Sequence, residues 1–267
     1  MHPYLNIAIR AAEKAGGLLR RHFDDLDRLN VEQKAYNDFV SEADREAERA
    51  IVDTIEKYYP KHSIIAEEGH GRRVQNAEAE WIIDPLDGTT NFLHGFPHFA
   101  VSIAIRIRGR LEHAVIYDPI RDELFTASRG EGARLNNRRI RVSETRRLEQ
   151  ALLATGIPYR EFDFVDSYMA SLRHFMMHTA GIRRPGSAAL DLAYVACGRV
   201  DGYWEFNLRP WDIAAGALIV REAGGIVTDF AGGENFLKSG NILAANPAML
   251  REMARVIART IPQEYRT

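Results

Sequence analysis

The sequence predicts an α/β protein, and three patterns along the chain support this prediction. Apolar residues recur at helical spacing in residues 4–23 and 42–58. Short strand-like runs then follow one another between residues 63 and 142, with turns between them. From about residue 147 onward, helical segments alternate with short strands. The first half therefore has α+β character, and the second half has α/β character.

The two N-terminal helices are predicted from their apolar spacing and their end signals. The apolar positions of the first helix are Leu5, Ala8, Ile9, Ala12, Leu19 and Phe23. Before the second helix, Ser41 followed by Asp44 is typical of an N-terminal cap with an acid in the first turn. Pro60 ends this helix, because proline does not continue a helical hydrogen-bond ladder.

The middle of the chain contains six strand-like runs: SIIAE, WIIDP, AVSIAIRI, LEHAVIYDP, ELFTAS and ARLNNRRIRV. Because consecutive strands without intervening helices pair with their sequence neighbours, these runs predict an antiparallel meander. The second half contains helical segments at 164–178, 187–197, 211–223 and 247–260, with the strands ALLATG, DGYWEF, GIVTDF and NILAAN between them. We therefore expect two halves, residues 1–147 and 148–267.

Composition excludes several classes of function. The 267-residue chain has a formal net charge of −2, so it has no overall basic field for nucleic-acid binding. The basic run RRIRVSETRR, residues 138–147, is more typical of a solvated hairpin than of an RNA or acidic-partner contact. Cys197 is the single cysteine, which is consistent with a reducing cytoplasm. The N-terminus does not resemble a signal peptide, and no apolar run approaches the ~20 residues that span a bilayer.

The segment IIDPLDGTTNF, residues 82–92, places Asp84 and Asp87 behind an apolar run. A hairpin turn is one interpretation, because Asp-Gly is a strong turn signal, although Thr-Thr-Asn is more typical of a helix start. An aspartyl-phosphate phosphatase is a second interpretation. In the motif of that class, a single residue separates the two acids, which puts both of them on one side of a strand. Here two residues separate the acids and Pro85 interrupts a regular ladder, so we reject that interpretation.

A divalent metal site is the third interpretation of this segment. A strand that ends and bends at Pro85 can turn Asp84, Asp87 and the carbonyl of Leu86 toward one point. Such hard oxygen donors suit Mg²⁺. Gly88 permits close backbone approach to a ligand, and the amides of a helix start at residues 88–90 would face an anion such as phosphate.

Two further acidic positions fit that interpretation. Glu67 and Glu68 end the first of the six strand-like runs, and Asp212 opens an apolar helix. A lone acid at a helix N-terminus is usually a cap, so a cap and a ligand role both stay open for Asp212.

Two long motifs resemble those of the inositol monophosphatase family, and they occur in the order that is typical of it. They are WIIDPLDGTTNFLH, with AEEG upstream, and WDIAAGALIVREAGG. KAYNDFVSEAD at 34–44 and GSAALDLAYVACGRVDGYWE at 186–205 are similar to its bacterial SuhB-type branch, and the resemblance covers nearly the whole chain. It implies the layered α/β sandwich of the sugar-phosphatase type, with α+β character, and usually a homodimer.

The resemblance also implies a metal site. Glu67, Asp84 and the carbonyl of Leu86 would hold a first Mg²⁺, and Asp84, Asp87 and Asp212 would hold a second. A third, looser Mg²⁺ would lie near Glu67. In such enzymes Li⁺ typically inhibits by competing at the second position.

The remaining residues are assigned by the same resemblance. Thr89, paired with Asp44, would orient the attacking water, and Glu67 completes the catalytic set. Lys34 matches a loop that closes near the metals. Residues 69–80 match no pattern of the family, and we expect them to form a surface flap near the active site. The residues implied to contact substrate are Leu86, Asp87, Gly88, Thr89, Arg183, Gly186, Ser187, Ala188, Glu205 and Asp212.

We therefore expect a Mg²⁺-dependent phosphomonoesterase that hydrolyses inositol monophosphate and related polyol phosphates. Glu205 after DGYW favours a polyol over a nucleotide substrate. The alternative is a transcription-associated factor that acts with NusA and RNA polymerase in ribosomal RNA antitermination, with phosphatase activity secondary. The arginines of residues 138–147 and 183–184 are the candidate contacts for that role.

Overall fold

The computed structural model describes residues 2–26, 31–35, 38–158 and 162–266. The helices in these residues are α1 Pro3–Phe23, α2 Glu42–Tyr58, α3 Thr89–Leu93, α4 Val165–His178, α5 Ala188–Ala196, α6 Pro210–Glu222, α7 Phe236–Ser239 and α8 Pro247–Thr260. The strands of the N-terminal half are β1 Val31–Ala35, β2 Asp38–Ser41, β3 Ser63–Ala66, β4 Ala79–Asp87, β5 Ala100–Ile107, β6 Arg110–Asp118, β7 Glu123–Ser128, β8 Gly132–Leu135 and β9 Arg138–Arg139. Those of the C-terminal half are β10 Leu152–Thr155, β11 Gly181–Arg183, β12 Gly202–Glu205, β13 Ile226–Thr228 and β14 Ile242–Ala245.

A seven-stranded sheet contains β3 to β9 in sequence order. Its strands from β4 to β9 pair antiparallel, which confirms the predicted meander. The first pair differs, because β3 runs parallel to β4. The predicted run at 133–142 is divided in two by Asn136 and Asn137, whose φ values of 46° and 66° form a tight turn before β9.

A five-stranded sheet has the order β11-β10-β12-β14-β13. The pairs β10–β11 and β10–β12 are parallel, and the pairs made by β14 are antiparallel. This mixed sheet confirms the predicted α/β character of the second half. A separate β1–β2 hairpin was not predicted from the sequence.

The two sheets and the helices form five alternating layers. On the seven-stranded sheet, Ile103 and Ile105 face α1 and α2, whereas Ala100 and Ala104 face α5 and α6. This division follows from the alternation of side chains along a strand. The central pair α5 and α6 also packs on the five-stranded sheet, and the far face of that sheet carries α4 and α8. Each sheet is therefore covered on both faces, and the fold class predicted from the sequence is confirmed.

None of the helices in the described residues is both long enough and apolar enough to cross a bilayer.

Candidate active site

A bulge at the end of β4 brings its two acids together. Asp84 pairs with Ser102 of β5 and Asp87 pairs with Ala100, so β4 has one extra residue between these pairs. The alternation of faces is shifted by that residue, and both carboxylates line the same cavity. The Oδ1 atom of Asp84 accepts a hydrogen bond of 2.9 Å from the amide of Leu86, which fixes the bend.

The chain then turns sharply at Gly88. Its φ of 100° lies in the left-handed region, and a Cβ atom there would approach the carbonyl oxygen of His98 to 3.0 Å. The helix α3 follows, as the Thr-Thr-Asn sequence predicted. Its Asn91 side chain donates 2.8 Å hydrogen bonds to the carbonyls of His98 and Pro185, and so ties this turn to the loop before α5.

Thr89 and Asp44 are in contact, as the family resemblance implied. The hydroxyl of Thr89 lies 3.1 Å from Asp44 Oδ1 and 3.1 Å from the carbonyl oxygen of Leu86. Asp44 is 1% exposed and belongs to a capping box, in which its Oδ2 accepts from the amide of Ser41 at 2.8 Å. The helix cap therefore also fixes the carboxylate that faces Thr89.

The loop after β3, which carries Glu67, is anchored by a buried glutamate of α2. Glu48 is 0% exposed and accepts hydrogen bonds from the amides of Glu68 at 2.6 Å and His70 at 2.8 Å. The His70 ring nitrogen Nδ1 lies 2.8 Å from the same carboxylate. Arg72 then pairs with Ile64 through two backbone hydrogen bonds, so the beginning of the 69–80 segment lies against β3.

The N-termini of the two central helices complete the acidic side of the cavity. Ser187 donates to Asp87 Oδ2 at 2.5 Å, and the amide of Ala189 donates to the same oxygen at 2.7 Å. Asp212 accepts a 2.7 Å hydrogen bond from the amide of Arg209 at the start of α6. Asp212 therefore caps its helix, and its carboxylate also lines the cavity.

Glu205, at the end of β12, also lines the cavity. Its Oε2 accepts a hydrogen bond from the hydroxyl of Tyr203. Burial raises the pKa of Glu205 to about 7, although the Tyr203 hydrogen bond and the positive charge of Arg184 oppose this rise. Gly156 lies directly against the carboxylate, and a Cβ atom at this position would overlap it.

Together these elements enclose a cavity of about 240 Å³. It is smaller than the roughly 300–1,000 Å³ of pockets that hold drug-sized ligands, so it suits a small molecule. Arg184 is the only cationic side chain that lines it in the described part of the chain. The lining residues are Glu67, Asp84, Leu86, Asp87, Gly88, Thr89, Thr90, Asn91, Gly156, Arg184, Gly186, Ser187, Ala188, Asp191, Glu205, Leu208 and Asp212.

The carboxyl groups of this cavity are difficult to ionise together. Burial raises the pKa of Asp84 well above its ordinary value, and the charges of Glu67, Asp87 and Asp212 add to that effect. Burial raises the pKa of Asp87 to about 6, against the hydrogen bonds from Ser187 and Ala189. The pKa of Asp212 is also raised, mainly by burial and further by the charges of its acidic neighbours. A bound cation would relieve this repulsion.

The donor set is of the type that binds hard cations. Carboxylates and the carbonyl of Leu86 supply only oxygen, as Mg²⁺ prefers. Within residues 2–26, 31–35, 38–158 and 162–266, no three acidic, histidine or cysteine side chains are already arranged to hold one ion. Asp84 and Glu67 instead share a hydrogen bond. Binding of a cation would therefore require loss of the shared proton and rotation of these side chains.

Most predicted site residues line this cavity, with three exceptions. Asp44 contacts Thr89 but does not itself line the cavity. Arg183 is exposed and donates to the carbonyl of Ile182 at 3.0 Å, whereas its neighbour Arg184 lines the cavity. The side chain of Lys34 lies outside the described residues. Gly156 and Asp191 also line the cavity and were not among the predicted residues. For Asp191 a signal exists, because it follows Ser187 by one helical turn and so shares its face of α5.

The five layers and the acidic cavity define this protein as a layered α/β protein with an acidic site between its central helices and its sheets. The chain belongs to the inositol monophosphatase family, whose family model matches residues 1–264. It is similar to the Nus factor SuhB of Escherichia coli (strain K12), with 54% identity over 253 residues, which are 95% of each chain.

Solved structures agree with this assignment. The extragenic suppressor protein suhB from Bartonella henselae is 48% identical, with a TM-score of 0.94 over 97% of this chain and 100% of that chain. The inositol monophosphatase from Anabaena (Nostoc) sp. PCC 7120 is 40% identical, with a TM-score of 0.83 over 98% and 97% of the two chains. Membership of this family implies a phosphatase, and its members are typically metal-dependent.

Proposed function

We propose that this protein is a cytoplasmic, Mg²⁺-dependent phosphomonoesterase that hydrolyses inositol monophosphate and related polyol phosphates. The observation that carries the proposal is the convergence of Asp84, Asp87 and Asp212 on one small cavity, where burial raises the pKa of each. Ionising these buried carboxylates together is energetically unfavourable unless a cation binds. A small, polar cavity also suits a polyol phosphate better than a large ligand.

The proposed metal-binding residues are Glu67, Asp84, Leu86 through its carbonyl, Asp87 and Asp212. When bound, Mg²⁺ would supply a Lewis acid that lowers the pKa of a water and neutralises charge on the leaving oxygen. The phosphate would lie against the amides of Gly88 and Thr89, and the polyol against Gly186, Ser187, Ala188 and Glu205.

Thr89 and Asp44 would orient the attacking water and accept its proton. When the Thr89 hydroxyl donates to Asp44, its lone pairs are free to accept from a water in the cavity. Burial raises the pKa of Asp44, against the hydrogen bonds from Ser41 and Thr89, and a higher pKa makes the carboxylate a better proton acceptor. Glu67 would act on the same water from the loop after β3.

The substitution Asp87→Asn tests the metal-dependent reaction. It preserves the shape and the acceptor oxygen for Ser187 but removes one negative charge. We expect phosphate release from inositol 1-phosphate to fall by about 10²–10³, the usual cost of removing one electrostatic stabiliser. The assay is a Mg²⁺ titration of turnover, with Li⁺ as competitor. The exposed Asp53→Asn in α2 is the matched control and should retain wild-type activity. Equal activity of Asp87→Asn and wild type would contradict the proposal.

A role in transcription is the second candidate function. The observation that favours it is the 54% identity to a relative named Nus factor SuhB. The exposed arginines Arg138 and Arg139 of β9 provide a basic edge for such contacts. We propose that a homodimer of this chain would bind purified NusA and RNA polymerase. Binding that persists in Asp87→Asn while turnover is lost would separate this role from catalysis, and absence of binding by wild type would exclude it.

A further inference from the structure

A buried carboxyl group in the cavity wall has no part in the proposed reaction. Asp191 lies in the first turn of α5, and its residue is 1% exposed. Its Oδ1 atom has no hydrogen-bond partner among the residues that the structure describes. An unpaired buried carboxyl reduces stability, so proteins usually complete its hydrogen bonding with water or a ligand.

Asp191 differs from the other buried polar atoms that lack a partner. Six such side-chain atoms occur in the described part of the chain, and Asp191 is the only one whose residue lines the cavity. It is also the only carboxyl among them. The other five belong to Arg72, His98, Tyr168, Trp204 and Trp211.

The surroundings of Asp191 define the chemistry that it can offer. Burial raises its pKa well above the ordinary value, the charges of Glu205 and Asp87 add to this, and Arg184 opposes it. A neutral carboxyl has one O–H donor and further acceptor capacity, which matches the donor and acceptor pair of an alcohol. Glu205, whose charge acts on Asp191, also lines the cavity, and one of its oxygens already accepts from Tyr203.

We propose that Asp191 is a specificity-determining residue that binds a hydroxyl group of the polyol part of the substrate, beside Glu205. This inference rests on the proposed phosphatase function. It adds to the proposed function a second carboxyl group, beside Glu205, that contacts the polyol. A site that hydrogen-bonds a substrate hydroxyl rejects analogues without it, because its own buried polar group is then left unpaired.

The test compares two phosphate esters that share a six-membered ring. Inositol 1-phosphate carries ring hydroxyls, and cyclohexyl phosphate has none. In Asp191→Leu, which replaces the carboxyl by an apolar group, kcat/KM for inositol 1-phosphate should fall by about 10- to 100-fold, mainly through KM. The value for cyclohexyl phosphate should stay within about twofold of wild type. Asp191→Asn, which keeps a donor and an acceptor, should retain most of the activity on inositol 1-phosphate.

The thermal midpoint separates this role from a structural one. Because Asp191→Leu removes an unpaired polar atom, it should not lower the midpoint. If leucine is too large to be accommodated, Asp191→Ala provides the same comparison without added bulk. An equal fall for both esters, or no change for either, would overturn the role of Asp191. A wild-type protein that hydrolyses neither ester would instead overturn the proposed phosphatase function, and the assignment of Asp191 with it.

Discussion

Gly156 follows β10 and lies directly against the carboxylate of Glu205. A Cβ atom at this position would overlap Glu205, so the residue type at 156 determines where the acid can lie. The φ of Gly156 is outside the left-handed region, and the backbone itself therefore accepts other residues. Glycine is thus required at position 156 because a larger residue would have no space beside Glu205, the proposed substrate-binding side chain.

Replacing Gly156 by alanine should therefore affect substrate binding more than folding. We expect Gly156→Ala to displace Glu205 and to lower kcat/KM for inositol 1-phosphate by about tenfold or more. Steady-state kinetics with circular dichroism melts would measure both effects. Gly17→Ala is the matched control, because a Cβ atom there meets nothing within 4 Å. It lies in α1 and should raise stability by about 0.5–1 kcal/mol without changing activity. Unchanged kinetics in Gly156→Ala would contradict this account of Glu205.

At the residue level, the sequence predicts the acids of the site better than their partners. Asp84, Asp87 and Asp212 stand at the ends of strongly apolar segments, so their position at the edge of the core could be inferred. The contacts of Gly156 with Glu205 and of Ser187 with Asp87 join positions that are far apart in the chain. No local pattern specifies such pairs. The exposed Arg183 and cavity-lining Arg184 are neighbours, and the sequence does not distinguish them.

At the level of elements, the loop between β3 and β4 depends on a single helix side chain. Glu48 is buried in α2 and accepts from two amides of the loop that follows Glu67. Both interactions are hydrogen bonds to a carboxylate, which are stronger than those between neutral groups. The helix therefore restrains the loop that carries one of the proposed metal ligands.

Glu48→Gln should loosen that loop. The amide nitrogen of glutamine cannot accept a hydrogen bond, so at least one loop amide loses a good partner. We expect a loss of about 1–3 kcal/mol of stability and a higher Mg²⁺ concentration for half-maximal activity. Thermal melts and a Mg²⁺ titration measure these quantities. Glu46→Gln on the same helix is the control, because Glu46 is half exposed in its pair with His22 and should contribute little. A Mg²⁺ requirement that stays at the wild-type value would argue against control by Glu48.

The elements themselves could largely be predicted. The predicted bounds of α2, α8, β5 and β7 agree with the structure, because each has a clear periodicity and a clear end signal. The parallel pairing of β3 with β4 could not be predicted, since it depends on the return of the chain through residues 67–78. The short strand β11 and the helix α7 are too brief to show a period.

At the level of the whole molecule, the buried acids of the cavity make the stability of the folded protein depend on pH. Asp87 has a pKa of about 6 in the folded protein, against an ordinary value of 3.8, and Glu205 has about 7 against 4.5. Between the ordinary and the folded pKa, the folded state holds more protons than the unfolded state. Stability of the metal-free protein should therefore fall as pH rises from about 4 to about 7, and should then level off with respect to these groups.

A bound cation should reverse that trend, because it requires the deprotonated carboxylates. We expect Mg²⁺ at about 100 times its Kd to raise the thermal midpoint by roughly 5–10 °C at pH 8. The increase should be much smaller at pH 5.5, where Asp87 and its neighbours hold their protons. Scanning calorimetry at both pH values, with KCl at matched ionic strength as control, measures the difference. In Asp87→Asn the increase at pH 8 should be reduced, since one charge that attracts the cation is absent. An increase in midpoint that is independent of pH, or equal in KCl, would mean that the cation does not bind these acids.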